Sequence, residues 1–549
     1  MKKVKPNLAE RALNVLAPKT AGRIYEKRAK KAWEKTGERK PGPQMRATGY
    51  GNNGASLTKN SVLGWIPGGG SAEDDIDLHG ALLRARARDL YAGGGLARSG
   101  VNTLTTSTVG WGIHPKPQVD KAALGLSDEE ADEWEKKTLR EFRLWAENNM
   151  CDYERQQNFY GLQELAFRNM LISGDDFALL GMKANKRTPY MTTVHLVEAD
   201  RVSTEGSMGG DSDVKTLDNG NRVIDGVEID KDGAVAAYWF TNRHPLSEEN
   251  EEEVKWERVE AVGETTGYPN VLHIMTQERP EQRRGIPFVS AQMIQIKQLD
   301  RYIDAELAGN LVRAMLTAFI KSEVDNAQLN LEDVIPGEEK VTSSDLQYEL
   351  GPGVIYELPP GKDITAINPL GSNTGFENFV AALETIIGSS MEIPKEVLTK
   401  KYESNYTAAR GALLDFWRTV RVYRTRFNWA FNQPIYEEWL SEAVSIGRIE
   451  APGFFEDPAI RQAWCGCMWM GASMGHVDPL KEVNAARERV ALHVSTEEQE
   501  AAEYNGNDWT ANIAQRKKEI EAGREMGEEA GQGLVLTTDE GEEDEDGKN

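Results

Sequence analysis

From residue 288 to about residue 318, apolar side chains fall at Val289, Met293, Ile296, Leu299, Ile303, Leu307, Leu311 and Ala314, always three or four apart. That spacing keeps one face apolar along the whole stretch and predicts a single amphipathic α-helix. At 1.5 Å per residue the helix would be about 45 Å long. Such a helix draws its stability from packing, so its apolar face needs a partner elsewhere in the chain or in another copy of it.

The same reading places further elements on both sides. Residues 77–102 read as helical with a break at Gly93-Gly94-Gly95, and 127–149 and 153–172 as two more helices, the first opened by a capping box of Ser127 and Glu130. From 175 to about 277 the period switches to two, with strands at Phe177-Ala178-Leu179-Leu180, at 193–197 and at Val271-Leu272-His273-Ile274. Val227-Glu228-Ile229 and residues 234–240 flank Asp230-Lys231-Asp232-Gly233, a hairpin signal. After the long helix, 319–362 holds short strands broken at Pro336-Gly337, Gly351-Pro352-Gly353 and Pro359-Pro360-Gly361. A second helix covers 375–389, with Phe376, Val380, Leu383 and Ile387 on one face. A polar and aromatic stretch, 399–406, leads to a third helix from Thr407 to Asn432, which Pro434 breaks or kinks before helix resumes to about 443. Asp478-Pro479 has the form of an N-cap with proline at the first helical position, and a last helix follows Asp508. The fold class is α+β.

Composition bounds what this frame can be. With 549 residues, 39% apolar content and 13 Trp, the chain can build several cores. No apolar run approaches the ~18 residues of a membrane span, and the first residues lack the apolar stretch of a secretory signal. Three cysteines fit a reducing compartment. Cys465 and Cys467 form a C-x-C, open to metal or redox chemistry or to a role as two small semi-buried residues; no second Cys or His pair follows at zinc-site spacing. The net charge of −24 is unevenly spread. The first 46 residues carry 14 Lys and Arg against 4 Glu, while the chain ends in an acidic run at 539–546. Either end can be a solubilising tail; the basic arm can also meet an acidic partner or nucleic acid. The acidic body does not suit a tight DNA binder; it suits a surface past which DNA slides.

Catalytic signals are weak. No Gly-Lys-Ser/Thr phosphate loop occurs, so a nucleotide-driven motor is not indicated. Asp74-Asp75 and Asp175-Asp176 are adjacent pairs, and neighbours on a strand point to opposite faces. His79, His114, His195, His244, His273, His476 and His493 are scattered, and no Gly-x-Ser-x-Gly appears. The expectation is a protein without enzymatic activity, cofactor or metal.

Several segments together resemble the lambda family of tailed-phage portal proteins. They are Arg283-Arg284-Gly285-Ile286-Pro287 before the long helix; Met391-Glu392-Ile393-Pro394-Lys395-Glu396-Val397-Leu398; Tyr402-Glu403-Ser404-Asn405-Tyr406-Thr407-Ala408-Ala409-Arg410; and Ala463-Trp464, Trp469-Met470-Gly471 and Asp478-Pro479-Leu480-Lys481-Glu482-Val483. The order of elements fits from about 74 to 525.

The resemblance implies a homo-oligomeric ring of about twelve subunits closing through a heterologous interface. It sits at one capsid vertex, with a central channel through which double-stranded DNA is packaged and ejected. It divides the chain into a basic arm and linker (1–73), a wing (74–285), a stem helix (286–318), a β-rich clip (319–362), a second stem helix (363–398), a tunnel loop (399–408), a long helix returning to the wing (409–477), a helical crown (478–525) and an acidic tail (526–549). The clip would dock the terminase and later the head-completion or adaptor proteins, with the major capsid protein and scaffold as further partners and no membrane. The protein would be in the host cytoplasm during assembly and then in the virion. Stem packing would use Val289, Met293, Ile296, Leu299, Ile303, Leu307 and Leu311. Lys400, Lys401, Tyr402 and Tyr406 would touch DNA without reading its sequence, or belong to an ordinary solvated loop. The arm has no matching family motif, and its expected role is to contact scaffold or capsid protein. The alternative function is another virion structural component, a scaffold or minor capsid protein without a DNA channel. A scaffold would be poor in strands, unlike 175–277, and a shell protein would not need an insert between two helices.

Overall fold

The computed structural model describes residues 67–206, 214–247, 253–315, 319–322, 362–365, 375–402, 406–474, 479–505 and 509–530, with isolated positions before 67. The elements below belong to one compact unit that begins at Ala72.

Helix α1 (Ala72–Gly93) opens with Glu73, Asp74 and Asp75, which favour a helix N-terminus. It stops at Gly94, whose φ of 89° and ψ of −140° are open to glycine alone, and α2 (Gly95–Thr108) starts afresh. Strand β1 (His114–Pro117) and the short α3 (Lys121–Leu124) lead to α4 (Asp128–Ala146), where the Ser127–Glu130 capping box forms as the sequence predicts. The next helix, α5 (Phe159–Ser173), begins six residues after the expected 153. The delay has a local cause: the Asp152 carboxylate accepts from the amides of Glu154, Gln156 and Gln157 and wraps that segment around itself.

Strands β2 (Asp175–Met182) and β3 (Thr192–Val197) form a three-stranded antiparallel sheet with the later β9, in the order β3-β2-β9. A second sheet is a five-stranded meander of β4 (Lys215–Thr216), β5 (Arg222–Ile224), β6 (Val227–Ile229), β7 (Val235–Thr241) and β8 (Trp256–Glu260). The β6–β7 turn is the predicted one, with Asp230 accepting from the amides of Asp232 and Ala234. Glu228, buried on β6, is satisfied by Arg258 of β8 at 2.7 and 3.1 Å. Strand β9 (Val271–Met275) closes the first sheet.

The long helix begins later than its apolar pattern suggested. A 3-10 turn, Ser290–Gln292, precedes α6 (Met293–Met315), because the Phe288 amide is tied to the Leu171 carbonyl at 2.9 Å. Strands β10 (Phe319–Ser322) and β11 (Lys362–Thr365) pair antiparallel and bracket 323–361, which lies outside the described residues. Strand β11 runs past residue 362, the expected end of the clip. Then come α7 (Phe376–Ser390), α8 (Lys395–Thr399) and α9 (Tyr406–Phe427). A π turn, Asn428–Asn432, joins α9 to α10 (Gln433–Ser445). Pro434 therefore neither ends the helix nor forces it straight: proline lacks an amide hydrogen and clashes with the carbonyl four residues back, and the widened turn takes up the conflict. Helix α11 (Pro458–Trp464) precedes β12 (Cys467–Met470), which pairs with β1. Three helices follow, α12 (Pro479–Ala491), α13 (Glu497–Asn505) and α14 (Trp509–Ala530). The sequence reading missed α13, although Thr496 and Gln499 make a threonine-to-glutamine cap spacing there and the Gln499 amide donates to Thr496 Oγ1 at 3.2 Å.

The main core is aromatic: Phe142 and Trp145 of α4 and Phe159 and Phe167 of α5 meet Phe427, Phe431, Tyr436 and Trp439 from the kinked α9–α10 helix. A smaller core fills the space between the two sheets, around Phe177, Val202, Tyr238 and Phe240.

Candidate functional site

The passage from sheet to long helix is tightly constrained. Arg283-Arg284-Gly285 turns the chain out of the sheet domain. A Cβ on Gly285 would lie 2.0 Å from the Gly174 carbonyl oxygen, so the two glycines exist to let two backbones touch. Beside them Arg284 is fully buried against Asp175, Nε to Oδ2 at 2.6 Å. Burial alone would raise the Asp175 carboxyl, but Arg284 and His273 outweigh it and hold the group well below the usual carboxylate range. Asp176, next along β2, is pushed the other way, by burial and by the Asp175 charge. Arg84 and Arg88 of α1 bind Asp200 on the flank of this cluster, and Arg84 also reaches Asp225. Sequence reading quoted Arg284 as a signature; its charge partner is 109 residues away, which no local pattern reveals.

Helix α6 leaves this elbow in two halves. Val289, Met293, Ile296 and Leu299 are buried in the main core, at 7% exposure or less. Ile303, Leu307 and Leu311 continue the same stripe but are 41%, 68% and 56% exposed. Helix α7 lies beside α6, where Tyr302 stacks on Phe376 and meets Phe379 edge-on at 4.9 Å. Of the four residues expected on one face of α7, Ile387 is buried and Val380 and Leu383 pack partly against the core. Phe379 and Ile386 remain 49% and 56% exposed.

The loop after α8 is tied at both of its lysines. Lys400 takes the left-handed conformation that caps α8, and its Nζ donates to Thr103 Oγ1 of α2 at 2.8 Å. Lys401 Nζ lies 3.6 Å from Glu377 of α7. Tyr402 is 61% exposed, and with Lys400, Arg98, Asn102 and Trp417 it lines an open cleft of about 580 Å³ between α2 and α9. Residues 403–405 and the Tyr406 side chain lie outside the described residues. The neighbouring signature segment is packing: Met391, Ile393, Val397 and Leu398 are buried, and Ser99 Oγ donates to the Leu398 carbonyl at 2.5 Å.

Arg424, which sequence reading did not single out, fixes α9 to this region. It donates to the carbonyls of Thr108, Ser107 and Ala472 at 2.7–2.9 Å, a cation at the C-terminus of α2. Burial, with Arg421 nearby, brings its guanidinium down to about 10. The tryptophans of the signature segments are structural too: Trp464 packs on Trp134 at 4.9 Å, and Trp469 Nε1 donates to Gln433. Burial pushes the Cys465 thiol up to about 12, which leaves it unreactive. Among the described residues no His, Cys, Asp and Glu cluster could hold a metal ion, and no helix is long and apolar enough to cross a membrane.

The profile of the phage portal protein, lambda family, matches residues 58–424. Portal protein B of Escherichia phage lambda is 23% identical over 502 residues, 87% of this chain and 90% of that protein. The portal protein of Escherichia phage N15 is 23% identical over 494 residues, 86% and 89% of the two chains. Among solved structures, a chain from the neck of a native gene transfer agent particle, computed with C12 symmetry, aligns with 78% of this chain and 92% of its own, at 13% identity and a TM-score of 0.41. The family match covers most of this chain and includes the elbow, α6, α7 and the loop after α8: the chain belongs to the lambda family of phage portal proteins, which form the DNA channel at a capsid vertex.

Proposed function

We propose that the chain is the ring subunit of such a portal and that its own residues divide the work as follows. Helices α6 and α7 form the stem, and subunits meet there through the apolar stripe that the protomer leaves uncovered. The observation that carries this is the split in α6: one continuous stripe, its first half in the core and its second half, Ile303, Leu307 and Leu311, facing out. Burying three aliphatic side chains at each contact contributes roughly 1.5–3 kcal/mol apiece, repeated around the ring. The 319–362 segment is the clip that receives the terminase and then the head-completion proteins, and α12 to α14 form the crown. Lys400, Lys401, Tyr402 and Tyr406 lie at the channel constriction. Their ties to Thr103 and Glu377 support a loop held in place until DNA phosphate competes for the two ammonium groups. Wing and arm meet capsid protein and scaffold. The protein performs no chemistry; it is made and assembled in the host cytoplasm and ends in the virion.

The test is electron microscopy of the purified protein together with Leu307→Asp/Leu311→Asp. The parent should form rings of about twelve with a central hole. The double variant should remain folded, with an unchanged far-ultraviolet circular dichroism spectrum, and lose the ring. Rings that persist with both aspartates would remove these residues from the interface.

A further inference from the structure

One groove on the sheet-and-helix body serves neither the stem nor the loop after it. Lys136, Arg140 and Arg143 recur about one turn apart along α4, and Arg187 reaches the same place from the loop between β2 and β3. With Leu139 and Leu144 they line an open groove of about 780 Å³ in which Glu147 is the single carboxylate. Among the described residues the side chains of Arg140 and Arg143 make no hydrogen bond and no ion pair. Lys136 reaches only Asp132, at 4.0 Å, and Arg187 donates to Asn149 Oδ1 at 3.2 Å. Leu144 is 48% exposed between these cations. Cations in the last turn of a helix are favoured by its dipole, which accounts for Arg143 as a charge. The dipole does not account for Arg187, which comes from another element, or for an exposed leucine among four cations on a chain of net charge −24.

We propose that this groove docks the acidic C-terminal segment of the chain, residues 531–549, from the same subunit or from its neighbour in the ring. That segment lies outside the described residues, and its sequence supplies both halves of the complement. Leu534-Val535-Leu536 matches the Leu139 and Leu144 floor, and the carboxylates at 539, 540 and 542–546 match the four cations. Arginine guanidinium binds carboxylate through paired hydrogen bonds, so two unengaged arginines a turn apart can hold successive acidic residues. Extended at about 3.3 Å per residue, the segment reaches up to about 60 Å beyond α14. Docked, it would neutralise the groove until a more acidic surface displaced it.

Zero-length carbodiimide cross-linking of the full chain, read by mass spectrometry, tests this on rings or monomers alike, so its outcome is separate from that of the ring experiment. The expected product joins Lys136 to a carboxylate within 539–546. Its yield should fall roughly five-fold or more in Arg140→Glu/Arg143→Glu, equivalent to losing about 1 kcal/mol of pairing. The milder Arg140→Gln/Arg143→Gln gives the same reading if charge reversal impairs folding. Excess synthetic peptide of residues 531–549 should compete the link away, and the same peptide with its side-chain carboxylates amidated should not. A tail that links only to lysines within 1–46, or to no lysine, overturns the proposal. A Lys136 link that survives both arginine variants unchanged also overturns it.

Discussion

Replacing Asp175 by Asn removes one charge from the elbow at nearly constant volume. In the native protein all five N–H groups of the buried Arg284 are used. Nε and Nη2 donate to the two Asp175 oxygens at 2.6 and 3.3 Å, Nη1 to the Val202 and Asp225 carbonyls at 2.9 and 2.7 Å, and Nη2 also to the Ala199 carbonyl at 2.8 Å. The same carboxylate accepts from the Gly285 amide at 3.0 Å and from His273 Nε2 at 3.2 Å. An amide in its place turns one acceptor into a donor and leaves the guanidinium with only the Asp225 carboxylate, 3.1 Å away and 16% exposed. Breaking a buried pair by removing one partner costs about 3–5 kcal/mol, and the surviving Asp225 places this case near 3 kcal/mol. For a unit the size of 72–549 the unfolding entropy is about 1 kcal/mol per kelvin, so the melting temperature should fall by about 3 °C. The assay is thermal unfolding of Asp175→Asn, Arg284→Met and the double variant under one buffer. The double variant should be less damaged than the sum of the singles, because it leaves no orphaned charge. A loss under about 1 °C for Asp175→Asn, or strict additivity, would refute the view that this ion pair clamps the elbow.

Further outcomes follow from the same coordinates. Gly285→Ala places a methyl 2.0 Å from a backbone oxygen that cannot swing aside, so it should destabilise by at least the ~1–3 kcal/mol of ordinary overpacking, measurable by urea unfolding. His114, His195 and His273 all have pKa values lowered chiefly by burial. The unfolded chain therefore binds more protons below about pH 6.5, and stability should drop as pH falls through that value. The depressed Asp175 adds stability that is present above about pH 4 and lost below it; melts near pH 7.5 and 5.5 that show a rise on acidification would contradict this reasoning. Lys401→Ala, at an exposed position, should change stability by less than about 0.5 kcal/mol while altering DNA retention in packaged heads. Deleting residues 1–50 should impair incorporation into proheads; unchanged incorporation would remove the arm from assembly.

What could be read from the sequence was whatever is specified locally. The Ser127 cap, the glycine break at 94 and the Asp230 turn are each set by neighbours within one or two turns, and each stands where the pattern put it. The family likewise followed from short segments in a fixed order. Hidden from that reading were features made by distant partners. Strand β1 finds β12 across most of the chain, and Arg284 finds Asp175. Lys400 and Lys401 look like free cations in a polar loop, yet in the fold each has a partner on a different helix. Start positions failed where a side chain competed with the helix, as Asp152 does before α5.

The π turn at Asn428–Asn432 also sets the rotational phase between two helices. A π turn holds one more residue than the α-helix it interrupts, and each residue advances a helix by about 100°. The α10 residues Tyr436, Trp439, Leu440 and Ala443, all with no measurable exposure, therefore meet the core only because that extra residue rotates them onto it. Removing one residue from 428–432 would take away the widened turn that accommodates Pro434 and would swing all four off their present face together. The extra residue is thus a phase setting: a substitution on α9 or α10 changes one contact, while a change of length between them turns every core contact of α10 at once.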